Sequence, residues 1–255
     1  MIDLHCHLPF ALSDGPETEE ESLRLLERAA AGGATYINAV IHAGSGESEL
    51  PRVVAALAKR AAELGVTLHP GVEYDGLACL SAATAPLFTV GEKSPFVLVD
   101  MRSSRVPFQA PQQVSELSTR GIRVVIVHPE VLFDPSQLPM LRRLADADAV
   151  MQLNAASLLP DAPAPIRSMA RRCMESGLCN LVASDAHRVD GHRRWCLDEA
   201  REQVLREYGE SAASILFETN PARLLAGRGP VAWRAPHRES KGWIAQLLTL
   251  LRRRS

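Results

Sequence analysis

The sequence predicts an α/β fold: a closed (β/α)7 barrel of the TIM-like kind, with a metal site at the C-terminal ends of its strands. Three observations carry that expectation. Short apolar runs alternate with longer amphipathic patterns about seven times along the chain, the signature of parallel βαβ units. The length, 255 residues, favours a closed barrel over an open doubly wound sheet for that many units. Histidines and carboxylates recur at the ends of successive apolar runs, where barrels of this class place their catalytic groups.

The elements follow in chain order. Ile2 to Leu8 reads as the first strand. Pro16 to Ala31 reads as a helix, with an acidic first turn (Glu17, Glu19, Glu20, Glu21) and Gly32-Gly33 as its stop. Tyr36 to Ile41 is a strand, Leu50 to Leu64 a helix ending at Gly65, and Val66 to Glu73 a strand. Gly76 to Lys93 has no clear period and is expected to hold a hairpin. Phe96 to Asp100 is a short apolar run typical of a buried strand. A helix over Pro111 to Arg120 leads to the β-branched strand Ile122 to Val127. Helices near Gln137 to Asp146 and Ala164 to Ser176 precede the strands Ala149 to Leu153 and Leu181 to Ala183. Helices over Arg193 to Tyr208 and Ser211 to Phe217 complete the barrel. The barrel is thus expected to span 1–226, followed by a Pro-, Gly- and Arg-rich linker over 227–242 and a short basic amphipathic tail over 243–255.

Composition narrows the function. Hydrophobic residues make up 46% and charged residues 23%, with 28 Lys and Arg against 30 Asp and Glu, an ordinary globular balance. The net charge of −2 argues against a basic surface for nucleic acid. Five cysteines without a CxxC pair do not make a disulfide framework or a zinc ribbon. The first residues, MIDLHCHLPF, lack the basic and long apolar regions of a signal peptide, and no apolar run is long enough to span a bilayer. A cytoplasmic location is expected.

The chemistry lies in where the polar residues fall. His5 and His7 form H-x-H, which period two places on one face with Cys6 on the other. Asp14 follows the first strand, His42 the second; Glu73, Asp100 and His128 end the third, fourth and fifth; Asp185 and His187 form D-x-H after the seventh. Singly, each has a bland reading. Asp14 is a natural cap for the helix starting at Pro16, and a lone strand-end histidine is commonly structural. Jointly, nine polar groups converging on one barrel mouth are costly unless cations compensate them. Imidazole with carboxylate suits manganese, iron or zinc, and nine ligands suit two or three ions. Such clusters hydrolyse phosphate esters by lowering the pKa of a bound water. A thiol mechanism is excluded: Cys-x5-Arg is required, and the residue six after each cysteine is Leu12, Ala85, Cys179, Asp185 or Glu202.

The motifs MIDLHCH, SDGPETEEESL, GVEYDG, MQLNAASL, LVASDAHRVDG and YGESAASILFETNPARLL resemble, in order, the PHP (polymerase and histidinol phosphatase) superfamily. Within it they resemble bacterial PHP-type tyrosine-protein phosphatases of capsule and exopolysaccharide operons, the CpsB/YwqE type. The resemblance covers about residues 1–226. It implies a distorted (β/α)7 barrel and two or three divalent metal ions, manganese first and iron or zinc as alternatives. It implies one metal held by His5, His7, Glu73 and Asp185, a second by Glu73, Asp100 and His128, and a third by Asp14, His42 and His187. It gives Asp14, Glu73, His128 and Asp185 the catalytic roles. The implied activity is hydrolysis of phosphotyrosine by metal-activated hydroxide, on the tail of a membrane tyrosine kinase. The alternatives are a phosphoesterase for a small-molecule phosphate and a catalytically weak phosphotyrosine-binding regulator.

Two positions depart from the family pattern. Asp100 stands where Glu is usual, one methylene shorter. The usual H-P-E-R reads His128-Pro129-Glu130-Val131, and valine makes no bidentate phosphate contact. Arg193, Arg102, Arg105 and Arg188 are the candidates to supply that charge. At the tail, Trp243, Ile244, Leu247, Leu248 and Leu251 at helical spacing before Arg252-Arg253-Arg254 suggest contact with the inner face of a membrane, the alternative being a short helix packed on the barrel. The resemblance also suggests homo-oligomerisation through Glu17 to Arg28, a run that also reads as a solvated helix face.

Overall fold

The computed structural model describes residues 1–83, 86–101 and 108–235. Seven strands, β1 (Ile2–Cys6), β2 (Tyr36–His42), β3 (Thr67–Asp75), β4 (Phe96–Asp100), β5 (Arg123–Val127), β6 (Val150–Asn154) and β7 (Leu181–Ala183), form one sheet in sequence order. Every pairing is parallel. Around it run α1 (Glu19–Ala31), α2 (Leu50–Glu63), α3 (Gly76–Ala82), α4 (Ala110–Thr119), α5 (Pro129–Leu132), α6 (Leu138–Asp146), α7 (Ala164–Glu175), α8 (Leu197–Tyr208), α9 (Glu210–Ser214) and α10 (Asn220–Leu225), with a π-helical turn at Ile215–Thr219. The alternation predicted from the sequence is thus realised as a nearly closed seven-stranded barrel.

Two apolar layers hold it. Leu4, Val40, Leu98, Val125, Val127, Val150 and Leu181 pack together as one buried cluster. Alternate strand residues such as Ile37, Ile41, Val99, Ile126 and Leu153 pack in a second with Leu25 of α1, Leu57 of α2 and Met169 of α7. The first cluster fills the barrel and the second joins it to its helices, as the period of two along a strand requires.

Closure between β1 and β7 is made by a seam of hydrogen bonds. The Asp185 amide donates to the His5 carbonyl at 2.7 Å and the His7 amide to the Ala186 carbonyl at 2.8 Å. Beneath it the buried Asp3 carboxylate accepts from the His5 and Ser184 amides at 3.2 and 3.1 Å and from the Trp195 indole at 2.9 Å.

Three expectations are corrected. α1 begins at Glu19 rather than Pro16, because Thr18 caps it by accepting from the Glu21 amide. The stretch 76–93 holds α3 and, among its described residues, no strand: Gly76, at φ +74°, turns the chain straight from β3 into a helix. α8 starts at Leu197 rather than Arg193, because the Arg193 carbonyl is taken by the His187 and Arg188 amides. Within the expected linker, residues 227–235 are held against the barrel: Asn220 bonds both main-chain groups of Val231, and Trp233 meets Tyr208 edge-on at 5.6 Å. The remainder of the expected linker and the 243–255 tail lie outside the described residues. No helix among the described residues is long and apolar enough to cross a membrane.

One irregularity in β1 positions the site. Asp3 pairs with Ile37 and Cys6 with Ala39, so Leu4 and His5 together oppose Asn38 alone. This β-bulge lets Leu4 join the interior cluster while His5 and His7 also face inward and Cys6 packs outward. Asn38 serves the bulge, its Nδ2 donating to the Leu4 carbonyl at 3.1 Å. Gly71 on β3 makes room for Asn38: a Cβ there would lie 2.4 Å from Asn38 Nδ2. Gly71→Ala is therefore expected to destabilise the fold by about 1–3 kcal/mol through overpacking, lowering Tm by roughly 2–4 °C per kcal/mol in a thermal melt. An unchanged Tm would show the Asn38 support to be dispensable.

Candidate metal centre

The barrel mouth gathers all nine predicted ligands. β1 supplies His5, the residues after it His7 and Asp14, β2 His42, β3 Glu73 and β4 Asp100; the residues just after β5 and β7 supply His128, Asp185 and His187. Glu73 is at the middle. Its Oε1 lies 2.9 Å from His128 Nε2, and its Oε2 lies 3.1 Å from His42 Nδ1, 3.2 Å from His7 Nε2 and 3.4 Å from His5 Nε2. Asp185 Oδ1 stands 3.6 Å from both His5 Nε2 and His7 Nε2. Asp14 Oδ1 lies 3.3 Å from His42 Nε2 and 3.2 Å from His187 Nε2, and the His7 and His187 rings stack at 3.9 Å.

Three groups of donor atoms result: His5, His7 and Glu73; Glu73, Asp100 and His128; and His7, Asp14, His42 and His187, the donors of each within 4.8 Å of one another. The shorter Asp100 still reaches its group. Cations fit here on the structure's own terms. Glu73 Oε2, His7 Nδ1 and His128 Nδ1 are buried without a hydrogen-bond partner, a costly state for protein groups alone. The donor atoms lie close enough together for neighbouring ones to share one ion.

The electrostatics say the same. Burial disfavours a charge on His5, but the Glu73 and Asp185 carboxylates outweigh it and lift its pKa to about 10. Its neighbour His7 is driven down to about 4, chiefly by burial. Burial opposes ionisation of Glu73 too, and the surrounding imidazoles nonetheless hold its pKa well below the usual carboxylate range. Asp14 is likewise lowered against its own burial by His187, His42 and Arg193.

The backbone is strained where it delivers two of these side chains. His128 (φ 36°) and Asp185 (φ 51°) are left-handed, a state costing non-glycine residues about 1–3 kcal/mol each. His128 caps the short helix α5, and the seam holds Asp185 by its amide.

A supporting layer lies beneath, on β6. His5 Nδ1 bonds Gln152 Oε1 at 2.9 Å, Gln152 Nε2 donates to Asn154 Oδ1 at 2.9 Å, and Asn154 Nδ2 donates to Asp185 Oδ2 at 2.7 Å. This chain turns His5 Nε2 and Asp185 Oδ1 toward the centre, as outer partners of metal ligands do. Glu130 in turn accepts from the Asn154 amide at 2.8 Å. The site reading passed over Gln152 and Asn154. Two amides two residues apart in a fully buried strand are the signal that marks them.

The predicted arginines divide. Arg193 reaches the centre, with Nη1 2.6 Å from Asp14 Oδ2 and Nη2 against His187 Nε2. Arg188 does not: its Nη1 donates to the carbonyls of Asp14, Gly15 and His187, clamping the loop after β1. Arg102 and Arg105 lie outside the described residues. No cysteine competes for the chemistry: all five are free, and burial pushes the Cys6 thiol far up. Arg28, in the segment expected at an oligomer interface, pairs with Asp198 of its own chain at 3.0 Å.

Comparison with known proteins places this geometry. A family model described as capsular polysaccharide synthesis, CpsB/CapC, matches residues 1–226. The tyrosine-protein phosphatase YwqE of Bacillus subtilis is 29% identical over 228 residues, 86% of this chain and 89% of that protein. The tyrosine-protein phosphatase CpsB of Streptococcus pneumoniae is 26% identical over 240 residues, 88% and 98% of the two chains. A crystal structure from work on those same two proteins, described as unique metal-dependent tyrosine phosphatases, superposes with a TM-score of 0.81 at 25% identity, covering 93% of this chain and 100% of that one.

Two outcomes are expected. Gln152→Leu, which removes the acceptor for His5 Nδ1, is expected to weaken divalent-metal binding about 10- to 100-fold in competition with a chelating dye, while Gln152→Glu retains most of the affinity. Metal affinity is also expected to rise with pH. A proton held on His5 up to about pH 10 must leave before a metal takes Nε2, so binding releases protons and tightens as they become scarce. Titration calorimetry in buffers of different ionisation enthalpy measures that release.

Proposed function

The chain belongs to the capsular polysaccharide synthesis family CpsB/CapC, and on that premise we propose that it is a metal-dependent protein-tyrosine phosphatase. The observation that carries the proposal is the set of three donor groups joined through Glu73 and His7 at one barrel mouth. His5, His7, Glu73 and Asp185 would hold one divalent ion; Glu73, Asp100 and His128 a second; Asp14, His42 and His187, with His7 beside them, a third. The ligand mixture suits manganese, with iron or zinc as alternatives.

When bound, these ions supply Lewis acidity and a water of lowered pKa. The chain's own residues do the rest. Glu73 lies between neighbouring donor groups and fixes their spacing. Gln152 and Asn154 orient His5 and Asp185. Arg193 presents a guanidinium at the rim, and a planar fork of donors suits phosphate oxygens.

The proposed physiological substrate is the phosphotyrosine tail of a membrane tyrosine kinase that acts in capsule or exopolysaccharide synthesis. The family's part in capsular polysaccharide synthesis supports it. Val131, in place of a second arginine, favours a second reading, a phosphoesterase acting on a small-molecule phosphate. Kinetics on a phosphotyrosine peptide against sugar and amino-alcohol phosphates separates the two.

With saturating divalent metal, the chain is expected to hydrolyse the phosphotyrosine peptide, and a chelator to abolish turnover. His128→Ala is expected to fall to the background rate. Val131→Arg is expected to lower KM about tenfold, the worth of one charge-assisted hydrogen bond. Full activity in His128→Ala would overturn the metal-centre reading.

A further inference from the structure

β5 and β6 part where the metal centre begins. Their pairing ends at Val127 opposite Gln152. Past that point His128 turns left-handed, and the chain enters α5. β6 runs on to Asn154. A side chain receives the Asn154 amide there in place of a strand carbonyl: Glu130 Oε1 accepts it at 2.8 Å. Glu130 is 2% exposed, and a buried carboxylate costs more than an apolar side chain of similar size would. Leucine would fill the space without that cost. The use of a carboxylate here lies in what its bond joins.

It joins two sides of the barrel mouth. On one side Glu130 is the second residue of α5, the helix that His128 caps, so a fixed carboxylate fixes the turn from which His128 projects toward Glu73. On the other side, Asn154 has both ends of its side chain committed. Its Nδ2 donates to Asp185 Oδ2 at 2.7 Å, and its Oδ1 accepts from Gln152 Nε2 at 2.9 Å. Its backbone is gripped by β7, where it pairs with Ala183, and by Glu130. We infer that Glu130 is a positioning residue for the metal centre: it spans the opening between β5 and β6 and sets the separation of the His128 turn from Asn154, and through Asn154 from Asp185. The inference rests on the proposed metal centre for what is positioned. It adds the group that couples His128 and Asp185, which belong to different proposed ions, through the protein rather than through the metals.

The test reads metal binding without turnover. The full chain is stripped with a chelator and titrated with cobalt(II), whose visible absorption bands report the ligand set. Glu130→Leu removes the acceptor, and Glu130→Asp keeps the charge on a stem one methylene shorter. Each is expected to weaken cobalt binding about tenfold and to shift the bands. Glu130→Gln, which keeps an oxygen at the same reach, is expected to bind within about threefold of the parent. Leu57→Ala opens a cavity in the layer between α2 and the sheet and is expected to lower Tm with cobalt affinity unchanged, which separates positioning from loss of stability. Parent affinity in the leucine or aspartate variant, a glutamine variant as weak as the leucine one, or equal weakening in Leu57→Ala overturns the assignment. The aspartate and glutamine variants decide it alone if the leucine variant does not fold. Variants that follow the expected order in a chain that hydrolyses no phosphotyrosine peptide overturn the phosphatase reading and leave the role of Glu130 standing.

Discussion

Glu73 is a buried carboxylate facing imidazoles from β1 and β2 and the imidazole that follows β5, and the rest of the barrel mouth is arranged around it. An anion so buried is stable only among positive partners. Those partners are themselves buried, so each added imidazole brings its own desolvation. His5 and His7 show the limit. Their Nε2 atoms are 3.1 Å apart, and one is pushed toward a held proton while the other is pushed toward neutrality. Like charges at that distance are not both sustained. Protons alone therefore satisfy the cluster unevenly. Divalent cations would satisfy it evenly, because one ion can accept lone pairs from neutral imidazole and carboxylate together.

The backbone meets this constraint with local departures from regular geometry. A regular strand cannot face Leu4, His5 and His7 inward at once; the bulge opposite Asn38 allows it. The bulge leaves a carbonyl for Asn38, and Asn38 in turn requires Gly71. Elsewhere in the mouth, left-handed His128 after β5 and Asp185 after β7 aim side chains that regular strand continuation would turn away. Strain of this kind is tolerated where the surroundings over-determine it. Here they do, through the helix that His128 caps, and through the seam and Asn154 that hold Asp185.

Most of the architecture was legible in the sequence because it rests on periodicity. Strand–helix alternation gave the barrel, and the gathering of the nine donor side chains followed because strand ends in a barrel converge. What escaped was set by contacts distant in the chain. The shift of the α8 start to Leu197 depends on the Arg193 carbonyl meeting amides at 187 and 188, which no local propensity encodes. Arg188 and Arg193 look equivalent in the sequence, yet one clamps main-chain carbonyls and the other reaches Asp14. The docking of residues 227–235 depends on Asn220, whose side chain reads as an ordinary polar surface group until the fold closes over it. Gln152 and Asn154 were readable in principle, as an amide pair in a strand otherwise fit for a core.

Closure of the barrel and assembly of the site are one event. The seam joins β1 to the residues after β7, across nearly the whole barrel sequence, and it lacks a regular ladder. Contacts so distant in sequence carry a high entropic cost of formation. The same two edges deliver His5, His7, Asp185 and His187 to adjacent positions. A cation bound between them therefore spans the weakest join in the sheet, and its binding free energy counts toward the folded state alone. Asp3 couples the two from below, since one carboxylate bonds the amide of His5, the amide of Ser184 and the indole of Trp195. The barrel mouth is thus the place where the fold completes itself as well as the place where its chemistry is held.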